Sequence, residues 1–249
     1  MPHPLDRLLD GFEAFRQRFI LGEADRYAQL RLGQAPRVLI IACSDSRVDP
    51  AVLTGAEPGD LFIVRNVAAI VPAYDPDGRP KGTSSAIEFA VKGLGVSEII
   101  VLGHGSCGGM RLLAEEAAAG PDSPGSFEFV SDWVRPFTPV CSMVAEMEIQ
   151  ESRRQVAIEQ GAILTSLTNL LSFPWLRQRI SEDAIALHGW YFDLQMGELL
   201  HYDPKIGSFV PTRGNALPIG AKELENPLTF TVTRLLKGFR RPDGSPTGT

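Results

Sequence analysis

Val38-Leu39-Ile40-Ile41-Ala42-Cys43-Ser44-Asp45-Ser46-Arg47 is the stretch on which the fold turns. Its first five residues are apolar, follow Pro36 closely and stop at a cluster of serine and aspartate. A short unbroken apolar run bounded in this way reads as a strand buried on both faces, as in a parallel sheet. The polar residues then stand at the carboxyl end of the strand, where open α/β sheets bind their ligands. Cys43 alone fits a small hydrophobe of the core. Asp45 and Arg47 weaken that reading, because charged groups beside a buried strand end are paired, hydrogen-bonded or functional.

A second stretch repeats the plan: Glu98-Ile99-Ile100-Val101-Leu102 runs into Gly103-His104-Gly105-Ser106-Cys107-Gly108-Gly109. Between the two, residues 61–65 read as another strand. Ser85 and Glu88 then stand at capping-box spacing ahead of Ile87, Ala90, Val91 and Leu94, and Gly95 ends that helix. Strand, crossover, strand, helix, strand predicts an α/β fold with a central, mostly parallel β-sheet flanked by helices.

Leu5, Leu8, Leu9, Phe12, Phe15 and Phe19 recur at helical spacing, and residues 22–32 read as a shorter helix. Residues 1–32 therefore form an N-terminal helical arm, whose phenylalanine-rich face suits a neighbouring subunit as well as its own core. Residues 33–208 read as one α/β domain, with helices expected over 110–119 and 152–171 and further strands at 184–191 and 199–202. Within it, residues 127–149 show helical patches at 131–133 and 144–147. Residues 209–249 read as a C-terminal extension rich in proline and glycine, with a helix expected near Leu235 and a disordered end expected from Ser245.

A formal net charge of -6 without a basic block argues against a nucleic-acid partner. No apolar run approaches the roughly 18 residues of a spanning helix. The first seven residues lack a signal peptide's apolar stretch, so no membrane partner and a cytoplasmic location are expected. Three cysteines, Cys43, Cys107 and Cys141, cannot all pair within the chain, and a chain of this size needs no disulfide framework. Metal binding or catalysis is the better use for some of them.

Three kinds of site compete for these motifs. Residues 103–108 satisfy G-x-G-x-x-G after a strand, but a dinucleotide site also needs an acidic residue on a second strand about 20 positions on. Here that region is Gly120-Pro121-Asp122-Ser123-Pro124-Gly125, a turn. A cysteine nucleophile of the phosphatase kind would use Arg47 as its clamp, yet Asp45 in the cradle would repel a phosphate. A metal site fits better. His104 and Cys107 stand three apart at a strand-to-helix turn and Cys43 ends another strand, which offers three nitrogen and sulfur ligands suited to zinc. Structural zinc sites are normally closed by four ligands, so three imply an open position and chemistry.

Cys43-Ser44-Asp45-Ser46-Arg47-Val48, Arg65-Asn66-Val67, Gly82-Thr83 leading into residues 86–91, and His104-x-x-Cys107-Gly108-Gly109 occur in this order, followed by Asn169-Leu170-Leu171 and Leu187-His188-Gly189-Trp190-Tyr191. Together they resemble the β-class carbonic anhydrases, from about Gly33 to Asp203. Gln34, nine residues before Cys43, makes the resemblance greatest to the plant-type branch.

The resemblance implies one zinc ion per chain, held by Cys43, His104 and Cys107. The reaction implied is reversible hydration of carbon dioxide to bicarbonate and a proton, by attack of a zinc-held hydroxide. It implies Asp45 and Arg47 as the catalytic pair, Gly108 as a backbone donor, Phe62, Val67 and Phe89 as an apolar wall, and Gln34 as a donor to a substrate oxygen. Phe89 stands where many plant-type members carry tyrosine, so a hydroxyl contact is absent there. The implied assembly is a homodimer or larger even-numbered homo-oligomer, with Gln34, Phe62 and Phe89 reaching the partner's metal.

Two thiolates cancel the charge of zinc, so a bound water needs help from Asp45 as hydrogen-bond acceptor and proton relay. A two-pronged bond from Arg47 would hold Asp45 off the metal and keep the site open. Two alternatives use the same residues: hydrolysis of sulfur analogues such as carbonyl sulfide, and a non-catalytic zinc protein, which would have little use for Asp45 and Arg47.

Overall fold

Val38–Cys43 is strand β1, an interior strand of a six-stranded sheet, second from one edge. The computed structural model describes residues 3–22, 24–79, 81–120, 125 and 127–212. The other strands are β2 (Leu61–Asn66), β3 (Glu98–His104), β4 (Ala186–Asp193), β5 (Glu198–Asp203) and β6 (Ser208–Pro211), in the spatial order β2-β1-β3-β4-β5-β6. The pairs β1–β2, β1–β3 and β3–β4 are parallel, whereas β4–β5 and β5–β6 are antiparallel. The sheet is thus mostly parallel, as the alternating pattern predicts.

Both faces of β1 and β3 are apolar because helices and loops cover a parallel sheet on each side. Leu39, Ile41, Ile99 and Val101 join one core, and Ile40, Ala42, Ile100 and Leu102 form another on the opposite face. Ala42 pairs with Leu102 and Cys43 with Asn66, so β1, β2 and β3 end at one level. That common level is what gathers the polar residues following each strand.

The described residues hold nine α-helices: α1 (Pro4–Phe15), α2 (Ala24–Leu30), α3 (Pro50–Thr54), α4 (Gly82–Glu88), α5 (Gly108–Ala119), α6 (Val130–Val134), α7 (Thr138–Ala145), α8 (Glu151–Leu170) and α9 (Pro174–Ser181). The longest, α8, lies close over the sheet because Gly103 and Gly189 present no side chain to it. A Cβ on Gly103 would sit 2.7 Å from Ile163 Cδ1, and one on Gly189 3.1 Å from Ile163 Cγ2 and from Leu167 Cδ1.

Several local expectations are corrected. The first helix does not run unbroken to Phe19: α1 ends at Phe15 and a π-helical stretch, Arg16–Gly22, carries the chain on. A capping box does occur, but at its start, where Leu5 N donates to His3 Nδ1 and His3 N donates to Asp6. The box expected at Ser85 and Glu88 is absent. Helix α4 begins at Gly82 with Lys81 at its N-cap, and Ser85 falls inside the helix, its N–H bonded to Lys81 O at 2.9 Å.

Residues 127–149 hold α6 and α7 where the sequence showed only patches of helix. Strand β6 has no counterpart in the expectation. Its Phe209 packs against Tyr191 and Tyr202, with ring centroids 6.2 and 5.5 Å apart. The expected helix near Leu235 and the disordered end from Ser245 lie outside the described residues.

Candidate metal centre

Cys43 closes β1, His104 closes β3, and Cys107 is the N-cap of α5. A turn this short brings Cys107 back beside His104 through Ser106, which takes the left-handed conformation at φ 56°. The ligand atoms of the three residues lie within 4.8 Å of one another, and all three are buried. The two sulfurs are 4.0 Å apart. His104 Nδ1 meets Gly105 O at 2.9 Å, so this nitrogen carries the proton and Nε2 keeps its lone pair. Nε2 is buried without a hydrogen-bond partner. A buried polar atom left in that state is costly, and it becomes favourable once a cation accepts the lone pair. Two thiols and one imidazole nitrogen are the donor set zinc prefers, so the residues fit the ion.

The two thiols resist holding two negative charges at once. The Cys43 thiol is pushed down because Cys107 donates to it, while burial acts against that shift. The Cys107 thiol is pushed up by the same contact with Cys43 and by burial. Backbone N–H groups of Met110 and Gly109, at the positive end of α5, favour its thiolate in part. A divalent cation removes the conflict, because it stabilises both thiolates together.

The loop after Cys43 is held from three directions. Arg47 Nε donates to Asp45 Oδ1 at 2.9 Å and Nη2 to Oδ2 at 2.7 Å, a two-pronged bond, and Nη2 also donates to Ser106 O at 3.1 Å. Arg65 donates to the carbonyls of Cys43 and Asp45 at 2.9 and 2.7 Å and to Asp49 Oδ2 at 2.8 Å. Asp49 in turn caps α3 by accepting from Ala51 N and Val52 N. The hydrogen bonds from Arg47 hold the Asp45 carboxyl well below the usual carboxylate range. Its Oδ2 stands 4.0 Å from His104 Nε2. Among the described residues, the one close group of three or more potential ligands does not include Asp45.

The structure brings some of the expected site residues here and not others. Gly108 opens α5 directly after Cys107. Val67 follows β2 and touches the same turn: a Cβ on Gly109 would lie 2.9 Å from Val67 Cγ1. Phe62, by contrast, is paired with Leu39, four residues before Cys43 and so about 13 Å back along the strands. Phe89 lies against Phe62, with ring centroids 5.9 Å apart. Gln34 lines a separate cleft of ≈ 530 Å³ with Leu30, Pro58 and Gly59. Within one chain, then, Gln34, Phe62 and Phe89 do not meet the metal ligands.

Other residues around the site had no role in the sequence reading, although Arg65 stood in one of its motifs. Arg65 and Asp49 brace the loop, and Trp133 Nε1 donates to Val67 O at 2.8 Å. Glu159 accepts from the backbone N–H of Cys107 at 2.9 Å. The signal for Glu159 was present, since it falls on the apolar stripe of Val156, Ile163 and Leu167, where an acid has no ordinary place.

Comparison with known proteins agrees with this geometry. The family model described as carbonic anhydrase matches residues 38–199. A carbonic anhydrase of Synechocystis sp. is 36% identical over 218 residues, covering 86% of this chain and 77% of the relative. The solved structure of the β-carbonic anhydrase CcaA superposes with a TM-score of 0.77 at 33% identity, covering 90% of this chain and 97% of that one. Tetrameric β-carbonic anhydrases from Sordaria macrospora superpose at 0.67 with 28% identity, covering 84% of this chain and 98% of theirs. Fold, ligand set and kinship converge, and the chain belongs to the β-class carbonic anhydrases: it is a zinc enzyme that reversibly hydrates carbon dioxide to bicarbonate and a proton.

Proposed function

We propose that in this reaction Cys43, His104 and Cys107 hold the zinc ion and that Asp45, oriented by Arg47, receives and passes on the proton. One observation carries the assignment. Both oxygens of Asp45 are engaged by the Arg47 fork, and Oδ2 is turned to within 4.0 Å of the unpartnered His104 Nε2. When bound, zinc supplies the Lewis acidity that lowers the pKa of water.

The chain's own residues supply the rest. Asp45 stays ionised because Arg47 stabilises its charge, so Oδ2 is a standing charged acceptor for a donor held beside His104 Nε2. The fork engages both carboxylate oxygens of Asp45, and would so restrain it from joining Cys43, His104 and Cys107 as a ligand to a bound ion. The N–H of Gly108, at the positive end of α5, is a donor for charge that develops on a substrate oxygen. Val67 with Ala68 offers an apolar surface beside the turn, suited to an apolar gas.

Gln34, Phe62 and Phe89 complete the site across a homodimer in this reading. Their distance from the ligands of their own chain supports it, as does α1, whose Leu5, Leu8, Leu9 and Phe12 are 57–66% exposed. Residues 1–32 serve as the arm that covers the neighbour, in an even-numbered assembly like the tetrameric relatives. A cytoplasmic location is in keeping with the absence, among the described residues, of any helix long and apolar enough to cross a membrane.

Stopped-flow hydration of carbon dioxide, read beside zinc content, tests these roles. Asp45→Asn keeps one zinc per chain and loses about 10²–10⁴-fold in turnover, as expected for a general base. Cys107→Ser loses the metal, because a hydroxyl is a poor zinc ligand. Wild-type turnover in the first variant or full zinc in the second overturns the assignment. A parallel rate on carbonyl sulfide measures how far the same ligands also serve that gas.

A further inference from the structure

Glu159 is a carboxylate that the chemistry above leaves unused, and it is 2% exposed. Burying such a group is costly unless its oxygens are all paired. Here they are. Oε1 accepts from Cys107 N and from Gln155 Nε2, both at 2.9 Å, and Oε2 accepts from the Tyr191 hydroxyl at 2.8 Å. Tyr191 is itself 2% exposed, and a Cβ on Gly105 would lie 3.1 Å from its hydroxyl oxygen. The β3–α5 turn, helix α8 and strand β4 therefore meet at this one carboxylate.

The local sequence explains why a distant residue is needed. At many helix starts a Glu or Gln at the third helical position reaches back to the N-cap N–H. In α5 the N-cap is Cys107 and the third position is Met110, which offers no such acceptor. The Cys107 N–H is instead met by a carboxylate 52 positions later in the chain.

We propose that Glu159, held in place by Tyr191 and Gln155, is a positioning residue of the zinc site: by fixing the Cys107 peptide N–H it aims the Cys107 sulfur at the metal. The proposal rests on Cys107 being a zinc ligand. It assigns no proton transfer to Glu159, and its effect is geometric. Glutamine keeps an acceptor for the N–H, whereas leucine of similar size leaves the N–H unpaired.

The test compares the zinc-loaded wild type with Glu159→Gln, Glu159→Leu and Tyr191→Phe. Zinc release to a chromophoric chelator is timed well below the melting temperature. Thiolate-to-metal absorption bands are recorded after cobalt replaces zinc. Glu159→Leu is expected to release zinc about 10–100-fold faster, the usual effect of losing a partner that orients a ligand, and to shift the cobalt bands. Glu159→Gln is expected to stay within about threefold of wild type, since a neutral acceptor keeps the bond at reduced strength. Wild-type release with unchanged bands in the leucine variant, even if it melts earlier, overturns the proposal and leaves Glu159 a mere tie between α8 and β4.

Should the leucine variant not fold, Tyr191→Phe decides alone: faster release supports the proposal and wild-type release refutes it. A wild-type chain that binds no zinc, or full zinc in Cys107→Ser, would instead sink the ligand assignment.

Discussion

Replacing Gly103 by alanine forces a Cβ to within 2.7 Å of Ile163 Cδ1 and 2.8 Å of Ile163 Cγ1, about 0.7 Å short of ordinary contact. Ile163 is 2% exposed and packed within the main core, so it has little room to yield, and α8 must lift from the sheet. Overpacking of this size costs about 1–3 kcal/mol. Near 2 kcal/mol, the melting temperature falls by roughly 4–8 °C for a chain of this length. The lift also acts on the site. Moving α8 by about 0.7 Å stretches the Glu159–Cys107 bond from 2.9 Å to about 3.6 Å, beyond hydrogen-bonding range.

A double-mutant cycle with Ile163→Ala isolates the clash. That substitution alone costs about 2–5 kcal/mol, but it removes both clashing atoms. The double variant should therefore be more stable than the sum of the singles, by about 1–2 kcal/mol. Urea melts of all four zinc-loaded proteins provide the cycle. Additivity within about 0.5 kcal/mol would show that Gly103 is not what seats α8.

Three further outcomes are expected. Arg47 holds the Asp45 carboxyl low, so the stability it confers is fully present above the unfolded aspartate value of about 3.9 and is lost only as pH falls through the lower folded value. The stability gap between wild type and Asp45→Asn, read by urea midpoints, should match at pH 7 and pH 5. A gap that closes between them would contradict the Arg47 hold. Burial pushes the Cys141 thiol up to about 11, so at pH 8 it remains protonated and a thiol-reactive disulfide reagent should spare it in the native protein, as peptide mapping will show. Under the homodimer proposed above, a chain lacking residues 1–30 should be monomeric in light scattering and lose most of its turnover. An unchanged, fully active dimer would refute the arm's role.

The site was legible to the extent that it is local. Cys43-Ser44-Asp45-Ser46-Arg47 and His104-x-x-Cys107 each sit just past an apolar run, so strand, turn and ligand were readable together. The fork from Arg47 to Asp45 spans two positions, and one loop determines it. The same locality misled at Ser85 and Glu88, where the spacing promised a capping box. The Ser85 N–H donates to Lys81 O instead, so α4 starts upstream at Gly82, where Asn66 at the end of β2 also ties Thr83.

The sequence by itself determined the α/β class and the parallel core strands, and it set three candidate ligands, Cys43, His104 and Cys107, at or just past the ends of two of those strands, because hydrophobic period and short spacing are properties of contiguous residues. Only the tertiary structure decided which distant groups complete them. Glu159 reaches Cys107 across 52 positions, and Arg65 reaches the Asp45 carbonyl across 20. Register decided as much again. Pairing Phe62 with Leu39 sets it about 13 Å from the metal end of its own chain, a distance no motif encodes. Strand β6 pairs in the same way, its Phe209 buried against Tyr191 and Tyr202 from a segment that reads as tail. Such contacts follow from how the sheet aligns its strands and how closely Gly103 and Gly189 let α8 approach, and those distances exist only in the folded chain.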